Sequence, residues 1–155
     1  KAVVTRGDES PTNTLFSAIL NRCPKYQVVM CFDSPIMERA ARDVAAGSEP
    51  GQAAAIPAML DDFAQMAGFS MPLLPGAELN RTAAALRRRN CVFVDGTGLI
   101  CCAAEASDCK ALRDLAEKNA LAFLAACRFG MAKGLPLLDR FLMRWVYLSR
   151  YSKKK

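Results

Sequence analysis

Short apolar runs alternate along this chain with segments whose apolar residues recur at helical spacing, and the alternation sets out most of its elements. Leu15, Phe16, Ile19 and Leu20 share one face of a helix that Ser10-Pro11 opens and Cys23-Pro24 ends. Tyr26 to Phe32 is apolar nearly throughout, as a strand covered on both faces must be. Ser34-Pro35 then caps a helix through Met37, Ala40, Ala41 and Val44 to Gly47, and Ser48 to Ala54 is small and polar, hence a loop. Ile56 to Ala67, with Met59, Phe63 and Met66 at helical spacing, predicts a helix ending at Gly68. Ser70 to Leu74 predicts a short strand, and Ala77 to Arg89 a helix whose Arg87, Arg88 and Arg89 complement its dipole. Cys91 to Val94 and Leu99 to Ala103 flank Asp95-Gly96-Thr97-Gly98, a strong hairpin signal. Ser107 to Gly130 predicts a long amphipathic helix, and Leu135 onward a last one through Leu138, Leu142, Trp145 and Leu148.

Strands and helices are thus interleaved, with a hairpin late in the chain. The fold class expected is an α/β sandwich, a small sheet covered by helices. The 155 residues contain no repeat, no low-complexity segment and no linker, so one domain over 1–155 is expected.

Charge changes this picture little. The net charge is +6, but the residues up to Asp139 hold 15 basic and 15 acidic groups; Arg140, Arg144, Arg150, Lys153, Lys154 and Lys155 supply the excess. A neutral body with a basic end predicts a solvated helix terminus, the alternative being a tail that contacts phosphate or a membrane. Neither nucleic acid nor membrane is the partner expected, since the body offers no basic face and no stacking platform.

The absence of histidine matters more. It excludes Ser/His/Asp and Cys/His triads, His-bearing zinc sites and imidazole acid–base chemistry. The seven cysteines, at 23, 31, 91, 101, 102, 109 and 127, form no C-x-x-C pair and lie mostly in apolar runs. They predict reduced, largely buried thiols in a cytoplasmic protein, with Cys101 and Cys102 pointing to opposite faces of a strand. The start, Lys1-Ala2-Val3-Val4, has no signal-peptide pattern and no initiating methionine, which suggests a fragment or a processed product.

Few short segments could carry chemistry. Gly96-Thr97-Gly98 is too short for a phosphate loop and no helix follows it. Cys31-Phe32-Asp33 lies where a strand runs out into a capped helix, and residues two apart can reach one side of that strand end. A thiolate and a carboxylate there suit a divalent metal, although two ligands do not make a zinc site; the alternative is a buried thiol beside a surface carboxylate.

The stretch TLFSAILNRCPKYQVVMCFDSP, Thr14 to Pro35, resembles the class II aldolase/adducin family's helix, proline and strand ending in His-Thr-His-Ser-Pro. NCVFVDGTGLI, Asn90 to Ile100, resembles the strand pair that holds the family's Arg-Gly-His-Gly or Arg-Asn-His-Gly. Glu117-Lys118-Asn119-Ala120 in the long helix, the last helix, Ile56-Pro57 and Met71-Pro72-Leu73-Leu74-Pro75 fit the family's order and spacing. The resemblance implies a three-layer sandwich with a central, mainly antiparallel sheet, and a chain lacking the family's N-terminal part.

In the family, three histidines hold a zinc ion that stabilises an enediolate, and a glutamate moves the proton. The resemblance places Cys31, Asp33 and Thr97 at the zinc-ligand positions and Thr12 at the acid/base position, so all four groups are changed. Ser10 falls at a phosphate-binding position, and Tyr147 and Tyr151 where the family's C-terminal segment reaches a neighbouring subunit. What this implies is a protein without cofactor, inactive as a zinc-dependent sugar-phosphate aldolase and used for assembly, binding or regulation. The alternative is an aldolase-like lyase with an altered metal site using Cys31 and Asp33. The partners implied are further copies of the chain, a tetramer among the options, and an N-terminal segment or partner protein standing in for the missing part.

Overall fold

The structure is a computed structural model and describes residues 2–5, 14–47, 54–131 and 133–151. The proposed cap Ser10-Pro11, Thr12 and most of the loop after Gly47 lie outside the described residues. In chain order the elements are β1 (Ala2–Thr5), α1 (Thr14–Arg22), β2 (Val28–Phe32), α2 (Pro35–Gly47), β3 (Ala55–Pro57), α3 (Asp61–Met66), β4 (Ser70–Leu74), α4 (Leu79–Leu86), β5 (Cys91–Val94), β6 (Gly98–Ala103), α5 (Ala106–Arg128) and α6 (Leu137–Val146). A π-helical turn, Tyr147–Tyr151, continues α6.

Among the described residues the sheet runs β1-β2-β6-β5-β4-β3, antiparallel at every pair except the parallel β4–β5. Its central strands are covered on both faces, and β2 and β5 are buried at every position. That is why they are near-continuous apolar runs in the sequence, whereas β4, next to the edge, buries alternate residues. Val28, Met30 and Phe32 join Phe93, Leu99 and Cys101 in one core, under α2, α3 and α5. Val29 and Cys31 join Val92, Val94, Ile100 and Cys102 in the other, under α1 and α4. The result is the three-layer, mainly antiparallel α/β sandwich expected. No helix among the described residues is long and apolar enough to cross a membrane.

Two segments depart from expectation. The helix expected over Ile56 to Ala67 is a strand followed by a shorter helix: Ile56 pairs with Met71 and Pro57 with Ser70, and α3 begins at Asp61. The helical spacing of Met59, Phe63 and Met66 was genuine only from Asp61 onward, because Pro57 has no N–H and holds the residue before it extended. No strand was expected at Ala2–Thr5, which pairs Val3 with Met30 and Val4 with Val29. Four residues are too few to show a period, and it is the open edge of β2 that makes them a strand.

The cysteines behave as expected of buried hydrophobes: all seven are free, six are buried, and Cys127 is exposed. Cys101 and Cys102 face opposite cores. Burial pushes the Cys91 and Cys109 thiols up to about 12, with a smaller push on Cys109 from Asp108, and raises Cys101 and Cys102 as well. In the unfolded chain these thiols ionise near pH ~8.5. Their contribution to stability is therefore complete below that value and is lost as pH rises toward the folded values, where only the unfolded chain releases the protons freely. Tyr26, raised by burial, acts in the same direction, and Lys25, lowered by burial, opposes it as a single group. The urea midpoint is expected to fall clearly between about pH 7.5 and pH 10. An unchanged midpoint over that range would show that these thiols ionise as easily folded as unfolded.

Candidate functional site

The end of β2 carries the positions that the sequence singles out. Ser34 is buried and closes the strand; its Oγ accepts from the Met37 N–H at 3.4 Å and its carbonyl accepts from the Glu38 N–H at 3.0 Å. That makes Ser34 the cap and Pro35 the first residue of α2, which fixes the direction in which the chain leaves the sheet. Asp33, just before the cap, is exposed.

Across from it, β5 and β6 turn through Asp95, Gly96 and Thr97. The Thr97 N–H donates to the Val94 carbonyl at 3.0 Å, and the Asp95 N–H donates to the Leu74 carbonyl at 2.9 Å, anchoring the turn to β4. Gly98 has φ +117°, and a Cβ there would lie 2.6 Å from the Phe32 carbonyl oxygen and 3.4 Å from Cys31 Sγ. Only glycine lets the hairpin approach β2 this closely.

The structure therefore brings Cys31 and Thr97 together, but through the backbone of Thr97. The Cys31 thiol donates to the Thr97 carbonyl at 3.3 Å. Burial raises the pKa of this thiol, and the negative charge of Asp33 raises it further. In the metal-free protein the thiol therefore keeps its proton and spends it on the Thr97 carbonyl. Thr97 offers a neutral hydroxyl, and among the described residues no group of three His, Cys, Asp or Glu side chains converges. This donor set does not fit a tetrahedral zinc site. Ser10 and Thr12, which the family resemblance aligns with phosphate-binding and acid/base positions, lie outside the described residues. Tyr147 is half-buried on the π-helical turn with the Arg144 guanidinium 5.9 Å from its ring centre; the Tyr151 side chain lies outside what is described.

Two groups of basic residues have roles the sequence did not reveal. Arg144, counted there with the basic end of the chain, instead reaches inward. Its Nη1 donates to the Gln65 and Met66 carbonyls at 2.7 Å each, at the C-terminal end of α3, and its Nη2 donates to Asn90 Oδ1 at 2.8 Å. Arg89 ties into β4 rather than capping α4, its Nε and Nη2 donating to the Ser70 carbonyl and hydroxyl at 3.0 and 3.2 Å. The end of α4 is served from another element: Lys25 Nζ donates to the Arg87 carbonyl at 3.0 Å, and the Tyr26 hydroxyl sits 2.9 and 2.5 Å from the Leu86 and Arg89 carbonyls. Capping by residues some 60 positions away leaves no local sequence signal.

No family profile and no curated protein matches the chain by sequence. Solved structures do. L-fuculose 1-phosphate aldolase superposes with a TM-score of 0.65 at 17% identity, over 80% of this chain and 57% of that one. YgbL of Klebsiella pneumoniae, a candidate aldolase/epimerase/decarboxylase, gives 0.67 at 13%, over 87% and 65%. The L-fuculose 1-phosphate aldolase of Glaciozyma antarctica PI12 gives 0.63 at 18%, over 89% and 51%. The chain thus spans between about half and two-thirds of the length of these three proteins. At such identities the likeness establishes architecture, and the architecture is the class II aldolase-like fold.

Proposed function

We propose that this chain is a class II aldolase-like protein without zinc-dependent aldol activity, serving assembly, binding or regulation. The observation that supports this reading is the donor set at the strand end where the family resemblance expects metal ligands: Cys31 Sγ lies 3.3 Å from the Thr97 carbonyl, and among the described residues no third His, Cys, Asp or Glu side chain joins Cys31 and Asp33 there. Metal catalysis tolerates changes in its immediate ligands poorly, and three such positions are altered together. In this reading the protein has no cofactor, works in the cytoplasm, and associates with further copies of itself, with an N-terminal segment or a partner protein completing the part that its longer structural relatives hold.

The test is metal content. Protein purified without chelator is expected to carry no stoichiometric zinc or cobalt by mass spectrometry, and not to cleave fuculose or ribulose phosphates. About one metal ion per chain, lost on Cys31→Ser, would overturn the reading and favour a lyase with an altered metal site using Cys31 and Asp33.

A further inference from the structure

The 15 basic and 15 acidic residues up to Asp139 balance in number but not in space. Where β2 begins, the fold gathers Lys25, Arg87, Arg88, Arg89 and Arg144 from the turn before β2, the end of α4 and helix α6. Contacts link them. Lys25 Nζ lies 4.6 Å from the centre of the Tyr26 ring, the Tyr26 hydroxyl lies 2.5 Å from the Arg89 carbonyl, and Asn90 accepts from Arg144 Nη2 at 2.8 Å. Among the described residues none of these five cations pairs with a carboxylate; the ion pairs present belong to Arg39, Arg81 and Arg113. Lys25, Arg89 and Arg144 bond instead to backbone carbonyls and neutral side chains. Such bonds fix the cations without neutralising them, since a helix end offers only about half a negative charge. Burial lowers the pKa of all three; the charge of Arg144 lowers Lys25 further, and that of Arg88 lowers Arg89. Like charges held together and partly out of water are costly until an anion joins them.

We propose that this cluster is an anion site for a phosphate group, as inorganic phosphate or a phosphomonoester, held by Lys25 and Arg144 with Arg89 beside them. The bonds these residues make within the protein leave donors unused. Lys25 spends one of its three N–H groups, Arg144 keeps its Nε–H and one Nη2–H, and Arg89 keeps both hydrogens of Nη1. Because carbonyls hold both guanidinium planes, and the Tyr147 ring lies 5.9 Å from that of Arg144, little side-chain freedom remains to be lost on binding. A carboxylate would offset one of the cations; a phosphate dianion offsets two and offers oxygens to donors from separate elements. Arg87 and Arg88, both exposed, raise the local positive potential and draw an anion in from solution. No local motif marks the site, since its donors stand at positions 25, 89 and 144. It lies at the opposite end of β2 from Cys31, roughly 15 Å away, and so goes beyond the reading above and holds whether or not metal binds there.

Calorimetric titration of the intact chain with inorganic phosphate and with glycerol phosphate, at constant ionic strength, is expected to show one site per chain. Lys25→Gln is expected to weaken binding at least about 10-fold, the loss of one charge-assisted bond. Arg42→Gln, which removes an exposed cation of α2, is expected to leave it unchanged. Lys25 also serves the end of α4, so a second readout uses the unaltered protein. Phosphate is expected to slow acylation of Lys25 by acetic anhydride severalfold while leaving Lys110, exposed on α5, as reactive as before. Tighter binding of glycerol phosphate identifies a phosphorylated molecule as the occupant, and tighter binding of inorganic phosphate the free anion; either order upholds the site. No binding of either anion, an equal response to chloride at the same ionic strength, or equal protection of Lys110 would overturn the proposal. So would binding that needs a polyanion such as nucleic acid and ignores both phosphates.

Discussion

Gly98→Ala is expected to destabilise the protein by about 3–5 kcal/mol, lowering the melting temperature by ~10 °C or more. Two costs add. At φ +117° any residue with a Cβ is strained, by roughly 1–2 kcal/mol. The new methyl would also sit 2.6 Å from the Phe32 carbonyl oxygen, a backbone atom of a strand clamped between two layers of helices. Neither strand can withdraw without breaking the pairing of Phe32 with Leu99 and of Val94 with Gly98. Gly96→Ala is the control. Its φ is +70° and nothing lies within 4 Å of the added Cβ, so only the strain cost of about 1 kcal/mol applies. Equal effects at the two positions would show that the hairpin does not press on β2 as the geometry says.

Asn119→Leu is expected to cost about 3 kcal/mol. Asn119 is fully buried in the middle of α5, and its side chain does for α3 what no nearby residue does. Oδ1 accepts from the Met59 and Leu60 N–H groups at 2.7 and 3.3 Å, and Nδ2 donates to the Pro57 carbonyl at 2.9 Å. Leu60, the residue at the N-cap position of α3, has no capping side chain; Asn119 instead satisfies the two amides just before the helix, Met59 and Leu60, and so fixes how the chain enters α3. A leucine of similar volume would leave all three backbone groups unpaired in a half-buried setting. Chemical denaturation gives the energy, and hydrogen exchange at Met59 and Leu60 localises it. A loss below about 1 kcal/mol, or unaltered exchange at those amides, would mean that water replaces Asn119 without penalty.

Much of the fold was legible because local rules and tertiary demands agree. Ser34-Pro35, the apolar runs of β2, β5 and β6, and Gly96 with Gly98 each carry a local signal that packing preserves. The misreading at Ile56 to Ala67 came where a helical period and a strand edge overlap within twelve residues and only pairing with β4 decides between them. The candidate site was legible only as positions. That Cys31, Asp33 and Thr97 share one end of the sheet follows from strand order, and the sequence marks all three. That Cys31 meets the Thr97 carbonyl rather than its hydroxyl depends on how closely Gly98 lets the hairpin approach, which no spacing encodes. Arg144 was misplaced for a similar reason: a cation near the chain end looks solvated until α6 is seen to lie across the end of α3.

What this chain owes to its sequence is therefore its alternation of elements, the buried thiols and the absence of imidazole, because these depend on side-chain type and period alone. Packing at long range settled the rest: the strand at Ala2–Thr5, the caps that Tyr26 and Lys25 supply across some 60 residues, the bonds by which Asn119 holds the segment before α3, and the outward apolar face of α6. Each of these is set by which backbone groups and surfaces the other elements leave unsatisfied, and such vacancies exist only once the chain has folded.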